Sequence, residues 1–253
     1  MLGGIAIFPL VIQEWWEKNS SKLIVALTLG IPTAIVLITQ GYGHELMHQM
    51  VFDYVPFIVL LGGLFAVTGG IRLEGDIQAT PLVNTGFLAL GAVLASIMGT
   101  TGAAMLLIRP LLSTNMERKH TAHTVLFFIA IVANTGGLLT PLGDPPLFLL
   151  YLRGAPFTWF MHLAPEWLFT NLLLLAIYFI TDTISHRRED VASLQLDILN
   201  QQPLKITGLI NFLWLAGVIF SVAFINEQYL PFMKGSANPL KFIREAAIMV
   251  MII

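Results

Sequence analysis

From Thr121 to Leu152 the chain carries an apolar run that is broken in its middle by Asn134-Thr135-Gly136-Gly137-Leu138-Leu139-Thr140-Pro141-Leu142-Gly143-Asp144-Pro145-Pro146. As one helix the run would measure roughly 48 Å at ~1.5 Å per residue, against a hydrocarbon core of ~30 Å. It must therefore break or leave the membrane. Irregular backbone at that depth is tolerated only where it is buried in protein or lines a wet cavity, because lipid offers bare N–H and C=O groups no partners. Broken helices in carriers usually mark a substrate site. The expected functional centre is this interruption, an ion site at mid-membrane depth, with the rest of the chain as its scaffold.

The membrane assignment rests on composition. With 56% hydrophobic residues, 11% charged residues and a mean hydropathy of +0.79, the chain is far too apolar for a soluble domain of its length. The expected class is an all-α polytopic membrane protein. A net charge of -2 gives no footprint for nucleic acid, and the absence of cysteine excludes disulfides, thiolate metal sites and cysteine nucleophiles. Apolar segments fall at about 1–12, 22–39, 54–71, 85–112, 121–152, 166–181, 206–225 and from 242 onward. The first lacks a basic leader and is read as part of a span. The last runs for only about 12 residues, roughly 18 Å, so the chain is expected to stop inside a membrane segment. Four regions follow: scaffold helices with an interfacial helix over 1–81, a transport-type unit over 82–181, a cytoplasmic linker over 182–205, and the start of a second half over 206–253.

The segment Thr85 to Leu112 is too long for one straight span, and Gly99-Thr100-Thr101-Gly102 divides it into arms of about 14 residues, each reaching only ~21 Å. A re-entrant hairpin is expected, entering and leaving on one side. Counting charges with that hairpin puts Lys18, Lys22, Arg72, Arg109, Arg118, Lys119, Arg187, Arg188 and Lys205 on one side, and Arg153, Lys234, Lys241 and Arg244 on the other. That is nine against four, whereas a simple span gives seven against six. The positive-inside rule favours the hairpin and places its base, with the linker, in the cytoplasm. The linker reads as a solvated surface loop, and His120 and His123 as solvated residues beside it. Trp15, Trp16, Trp159 and Trp167 read as indoles at segment edges. Tyr42 to Asp53 is amphipathic, with Leu46, Met47, Met50 and Val51 opposite His44, Glu45, His48 and Gln49, and is expected to lie along the outer interface.

Asp144 alone among the acids falls well inside an apolar segment, and an intramembrane carboxylate is by default a functional hypothesis. Burial favours its protonated form and a bound cation its ionised form, so it can exchange a proton for a sodium ion. The structural alternative is a helix N-cap followed by Pro145 at the first helical position. Asn134, Thr135 and Thr140 supply neutral oxygens, Gly136, Gly137 and Gly143 permit unwound backbone, and Thr100 and Thr101 add hydroxyls from the hairpin tip. Threonines inside membrane helices also bond carbonyls one turn back, which is their ordinary use. From another class, His44-Glu45-Leu46-Met47-His48 fits H-E-x-x-H, in which two histidines hold zinc and the glutamate activates water. An intramembrane metalloprotease through His44 and His48 is the remote alternative, because no third ligand is evident.

Gly136-Gly137-x-x-Thr140-Pro141-x-Gly143-Asp144-Pro145-Pro146, preceded by Gly99-Thr100-Thr101-Gly102-Ala103-Ala104, resembles the broken-helix and hairpin signatures of the ion transporter superfamily. That group includes NhaD-type sodium/proton antiporters, arsenite carriers, and citrate and dicarboxylate carriers. The resemblance covers roughly residues 55 to 180. It implies one repeat of an inverted-repeat transporter, homodimers, no cofactor, and alternating access by movement of a substrate domain in a bacterial inner membrane. It also implies that these residues form the N-terminal half of a carrier whose C-terminal half completes the site. Dicarboxylate carriers have a Ser-Asn-Thr tip where this chain has Gly99-Thr100-Thr101, threonine where Asp144 stands and asparagine where Leu147 stands. A carboxylate at the site suits a cation, so sodium/proton antiport leads, citrate or another organic anion is the alternative, and arsenite export comes third.

Overall fold

The computed structural model describes residues 2–233 and 238–252; Lys234, counted above on the less basic side, lies outside them. Helices form at every apolar segment, in the order α1 (Leu2–Val11), α2 (Gln13–Trp16), α3 (Asn19–Thr39), α4 (Gly43–Gln49) and α5 (Val55–Gly69), then strand β1 (Arg72–Asp76). They continue as α6 (Pro81–Thr114), α7 (Ala122–Ile131), α8 (Pro145–Leu152), α9 (Ala164–His186), α10 (Val191–Leu199), strand β2 (Gln202–Thr207), α11 (Ile210–Phe224) and α12 (Ile243–Val250). The chain is a multi-spanning helical membrane protein, with one small β-ribbon among the described residues. Contacts divide it into two compact units, Met1–Val55 and Pro56–Ile253.

In the first unit, α3 is apolar on every side. Of its residues only Ser21 is buried, while Leu23, Ile24, Leu27, Ile31 and Ile35 are exposed, the pattern of a helix whose surroundings are themselves apolar. Within the Tyr42–Asp53 segment, α4 is followed by a π-turn at Met50–Tyr54.

The second unit is built on α6. Its 34 residues would reach about 50 Å if straight, yet the two ends meet: Asn84 Nδ2 donates to Asn115 Oδ1 and Asn115 Nδ2 donates back to Asn84 Oδ1, each at 2.8 Å. The reversal is at Gly99, whose φ of 82° and ψ of 152° lie where a side chain is strongly disfavoured. Two arms of about 18 and 15 residues, roughly 27 and 22 Å long, therefore lie against each other, with Leu88, Ala92, Ala95, Ala103, Leu107 and Leu111 buried. The hairpin runs from Pro81 to Thr114, a few residues beyond the expected 85–112 at both ends.

The apolar run that follows is divided as its composition dictates. Helix α7 stops at Ile131, a 3-10 turn occupies Thr135–Leu138, and α8 begins only at Pro145. Helix α9 packs along both α6 and α7.

The expected linker carries secondary structure rather than a loop, with most of its residues exposed. Helix α9 extends to His186, α10 follows, and β2 pairs antiparallel with β1, with Arg72 opposite Thr207 and Glu74 opposite Lys205. The linker was legible as polar, but its pairing with a strand about 130 residues earlier in the sequence leaves no local periodic signal.

Candidate functional site

The hairpin tip and the interrupted helix meet at backbone level. The Thr100 N–H donates to the Gly143 carbonyl at 2.9 Å. The approach is too close for side chains: a Cβ on Gly143 would sit 1.8 Å from the Gly137 oxygen, one on Gly137 2.7 Å from Thr100 Cγ2, and one on Gly136 2.8 Å from the Ala92 Cα. These three glycines are needed for proximity, and Gly99 is needed for its torsion.

Behind the tip lies a layer of satisfied polar groups. Ser96 on the first arm donates its hydroxyl to the Gly136 carbonyl and accepts from the Leu139 N–H. Thr140 donates to the Ser96 carbonyl and accepts from the Leu142 N–H at 3.2 Å. From α9, Trp167 Nε1 donates to the same Gly136 carbonyl at 2.9 Å, and Asn171 Oδ1 accepts from the Thr135 hydroxyl at 2.8 Å. Unwound backbone within an apolar bundle needs such partners, since an unpaired buried amide costs about 1–3 kcal/mol. Thr135 and Thr140 are thus committed to holding the break in shape. Asn134 is exposed and donates to the Ile129 carbonyl, capping α7 rather than joining the tip. Ser96, Trp167 and Asn171 escaped the sequence reading. Ser96 and Asn171 were visible as polar residues inside apolar segments, and Trp167, read as an interfacial indole, instead bonds the break.

In front of the tip is a cavity of about 390 Å³. Helix α5 lines it with Ile58, Leu61, Gly62 and Phe65, one helical stripe, and the opposite wall holds Gly99, Thr100, Thr101, Leu142, Gly143 and Pro145. The second arm of the hairpin begins here. Because the helix breaks at Gly99, the first N–H groups of that arm have no preceding helical carbonyls; that of Thr100 is taken by the Gly143 carbonyl, and the start of the arm, the positive end of its dipole, lines the cavity. Such an end favours anionic oxygens.

The two threonines there differ from Thr135 and Thr140. Neither the Thr100 nor the Thr101 hydroxyl is engaged by another described residue. The start of α8 is the contrary case. Pro145 and Pro146 carry no N–H, and the amides of Leu147 and Phe148 are taken by the Asp144 carbonyl.

Asp144 occupies the N-cap position of α8 with extended backbone, but its side chain makes no capping bond. The pure capping alternative is therefore not what its carboxylate does here. Asp144 is half-buried between Gly143 and Pro145, which line the cavity, while not itself in the lining. Pro141 is buried. Of the eleven candidates, Thr100, Thr101, Gly143 and Pro145 face the cavity. Asp144 stands at its edge, Thr135, Gly136, Gly137 and Thr140 form its backing, Pro141 is buried next to Thr140 in the chain, and Asn134 bonds back to α7.

The zinc alternative fares differently. His44 and Glu45 are exposed on α4, His48 packs against Phe52 with ring centroids 4.8 Å apart, and no metal-holding group of three or more ligands occurs among the described residues.

A curated relative, the inner membrane protein YbiR of Escherichia coli strain K12, is 31% identical over 134 residues, which cover 46% of this chain and 36% of that protein. The chain thus spans about a third of the length of the curated relative it matches. No solved structure matches the chain. A family match extends over residues 1–253, and its description reads "Putative citrate transport". That match runs along the whole sequence, and the chain belongs to the membrane transport family it describes.

Proposed function

We propose that this protein is part of a secondary active carrier for citrate or a related organic anion in a bacterial inner membrane, working by alternating access. In this reading the α6 hairpin is re-entrant, the break between α7 and α8 lies at mid-depth, and the substrate occupies the cavity at the tip. The observation that carries it is the pairing of a helix start with two unengaged hydroxyls, Thr100 and Thr101, in a cavity large enough for a small carboxylate. The family description supports citrate over sodium/proton antiport, and the inner-membrane name of the relative supports the location.

Asp144 gives the second reading its place. An ionised carboxylate beside a bound organic anion repels it unless neutralised, so a sodium ion, a proton or a cation chelated by the substrate must accompany the anion. The same group alone would serve sodium/proton antiport, the earlier expectation. Homodimerisation and completion of the site by a second repeat belong to the proposed carrier as a whole.

The test is uptake of labelled citrate by proteoliposomes of the full-length protein, beside sodium-driven proton movement, with Thr100→Val, Thr101→Val and Asp144→Asn variants. Hydrogen bonds to a charged ligand contribute about 1.5–3 kcal/mol each, so each valine should weaken citrate uptake by tenfold or more. Asp144→Asn should alter the cation dependence of uptake. Proton flux without citrate uptake, lost in Asp144→Asn, would return the protein to the antiporter reading.

A further inference from the structure

A second cleft, of about 610 Å³, lies between the second arm of the hairpin and strand β1. Its apolar wall includes Ile71, Leu73, Leu106 and Ile108, and its charged residues are Arg72, Glu74 and Arg109. Glu74 stands across the ribbon from Lys205, so a positive charge already faces it on the neighbouring strand. Both arginines are exposed, and neither makes an ion pair or side-chain hydrogen bond with another described residue.

We propose that this cleft binds an anionic phospholipid, with Arg72 and Arg109 holding the headgroup phosphate and the apolar wall receiving the start of the acyl chains. Guanidinium groups match phosphate oxygens in paired hydrogen bonds. The two arginines belong to the more basic side of the chain, where anionic headgroups attract juxtamembrane cations. The apolar wall separates a lipid from a dissolved anion: a free phosphate or a tricarboxylate has no surface to place against Ile71, Leu73 and Leu106. The second arm carries Arg109 at one end and the cavity-lining Thr100 at the other, so a lipid seated here touches the same helix as the proposed substrate. The inference nevertheless stands apart from citrate transport, because it rests on the cleft, its arginines and the hairpin that puts Arg109 on the side of Arg72.

The test is native mass spectrometry of the full-length protein titrated with phosphatidylglycerol or phosphatidylcholine. The expected result is a retained phosphatidylglycerol adduct, weakened roughly fivefold by Arg72→Gln and again by Arg109→Gln. Arg72→Lys and Arg109→Lys, which keep the charge but lose the paired hydrogen bonds and guard against misfolding as the cause, should retain more of it than the glutamine variants. Arg187→Gln, an exposed linker arginine, should leave it unchanged. Equal retention of both lipids, or an equal loss in Arg187→Gln, overturns the proposal. So does displacement of the lipid by millimolar citrate or phosphate together with lipid-free binding of those anions through the same two arginines, which would make this a site for soluble anions.

Discussion

Arg118 Nη2 lies 2.6 Å from Asp182 Oδ1, and both side chains are fully buried. Asp182 also accepts from Asn84 Nδ2 at 3.1 Å and lies 2.9 Å from His123 Nε2. One carboxylate on α9 therefore gathers the first arm of the hairpin, the turn after its second arm and the start of α7. His123, expected to be solvated, belongs to this cluster. Removing one partner from a buried pair leaves an uncompensated charge, at a cost of about 3–5 kcal/mol, whereas replacing both by apolar groups is much less harmful. Asp182→Leu or Arg118→Leu alone should lower stability in detergent by that amount, and the double variant should recover a large part. A thermal-unfolding cycle checks this, and strictly additive losses would show that the two charges do not brace the hairpin base.

Glu189 ties the linker to the same base. Burial favours its neutral form, but the N–H groups of Lys119 and His120, at 3.0 and 2.9 Å, and the nearby Arg118 guanidinium hold its carboxyl below the usual glutamate value of 4.5. A lowered folded-state pKa contributes stability that is complete above the unfolded value and is lost as pH falls through the folded one. Linker docking should therefore be constant down to about pH 5 and weaken below the glutamate range, read as faster hydrogen exchange at Lys119 and His120. Glu189→Gln should remove that acid-side loss while weakening docking at neutral pH. Asp197, whose carboxylate accepts from the Ala79 N–H, is raised instead, chiefly by burial. Its contribution therefore has the opposite sign and declines as pH rises through its own range.

The glycines of the break divide by what surrounds them. A methyl on Gly143 would meet the Gly137 carbonyl at 1.8 Å, whereas one on Gly86 of α6 meets nothing within 4 Å. Gly143→Ala should separate the hairpin tip from the break, cost at least 2–3 kcal/mol as overpacking against backbone, and abolish substrate binding. Gly86→Ala should be neutral or stabilising by up to about 1 kcal/mol through helix propensity. Comparing melting temperatures and citrate binding of the two variants checks both statements, and a functional, stable Gly143→Ala would refute the close approach.

The two interruptions have a local origin in glycine, proline and segment length: Gly99 permits the torsion at which α6 turns, and residues 134–146 are poor helix formers. The roles of the polar groups were not legible. Thr135 and Thr100 look alike in sequence, yet one is bonded to Asn171 on α9 and the other opens onto the cavity. A hydroxyl's partner is set by the neighbouring helix, which local periodicity does not specify. Asp182 likewise reads as a segment-end residue until α6 folds back and brings Arg118 to it.

The hairpin makes a sharp prediction about sidedness. Leu82, in the first turn of α6, and Met116, just past its last residue, are 74% and 73% exposed. In a straight helix about 34 residues apart they would be separated by roughly 50 Å and lie on opposite faces of the bilayer. With Asn84 and Asn115 hydrogen-bonded to each other, they lie at the same end. The chain has no cysteine, so Leu82→Cys and Met116→Cys can each be introduced against a clean background and treated with a membrane-impermeant maleimide in intact cells and inverted vesicles. Both should react from the cytoplasmic face only. Thr101→Cys at the tip, exposed to the cavity, should react more slowly than either and be protected by citrate. Reaction of Leu82→Cys and Met116→Cys from opposite faces would show that α6 crosses the membrane as a single span, and the proposed site at mid-depth would lose its hairpin.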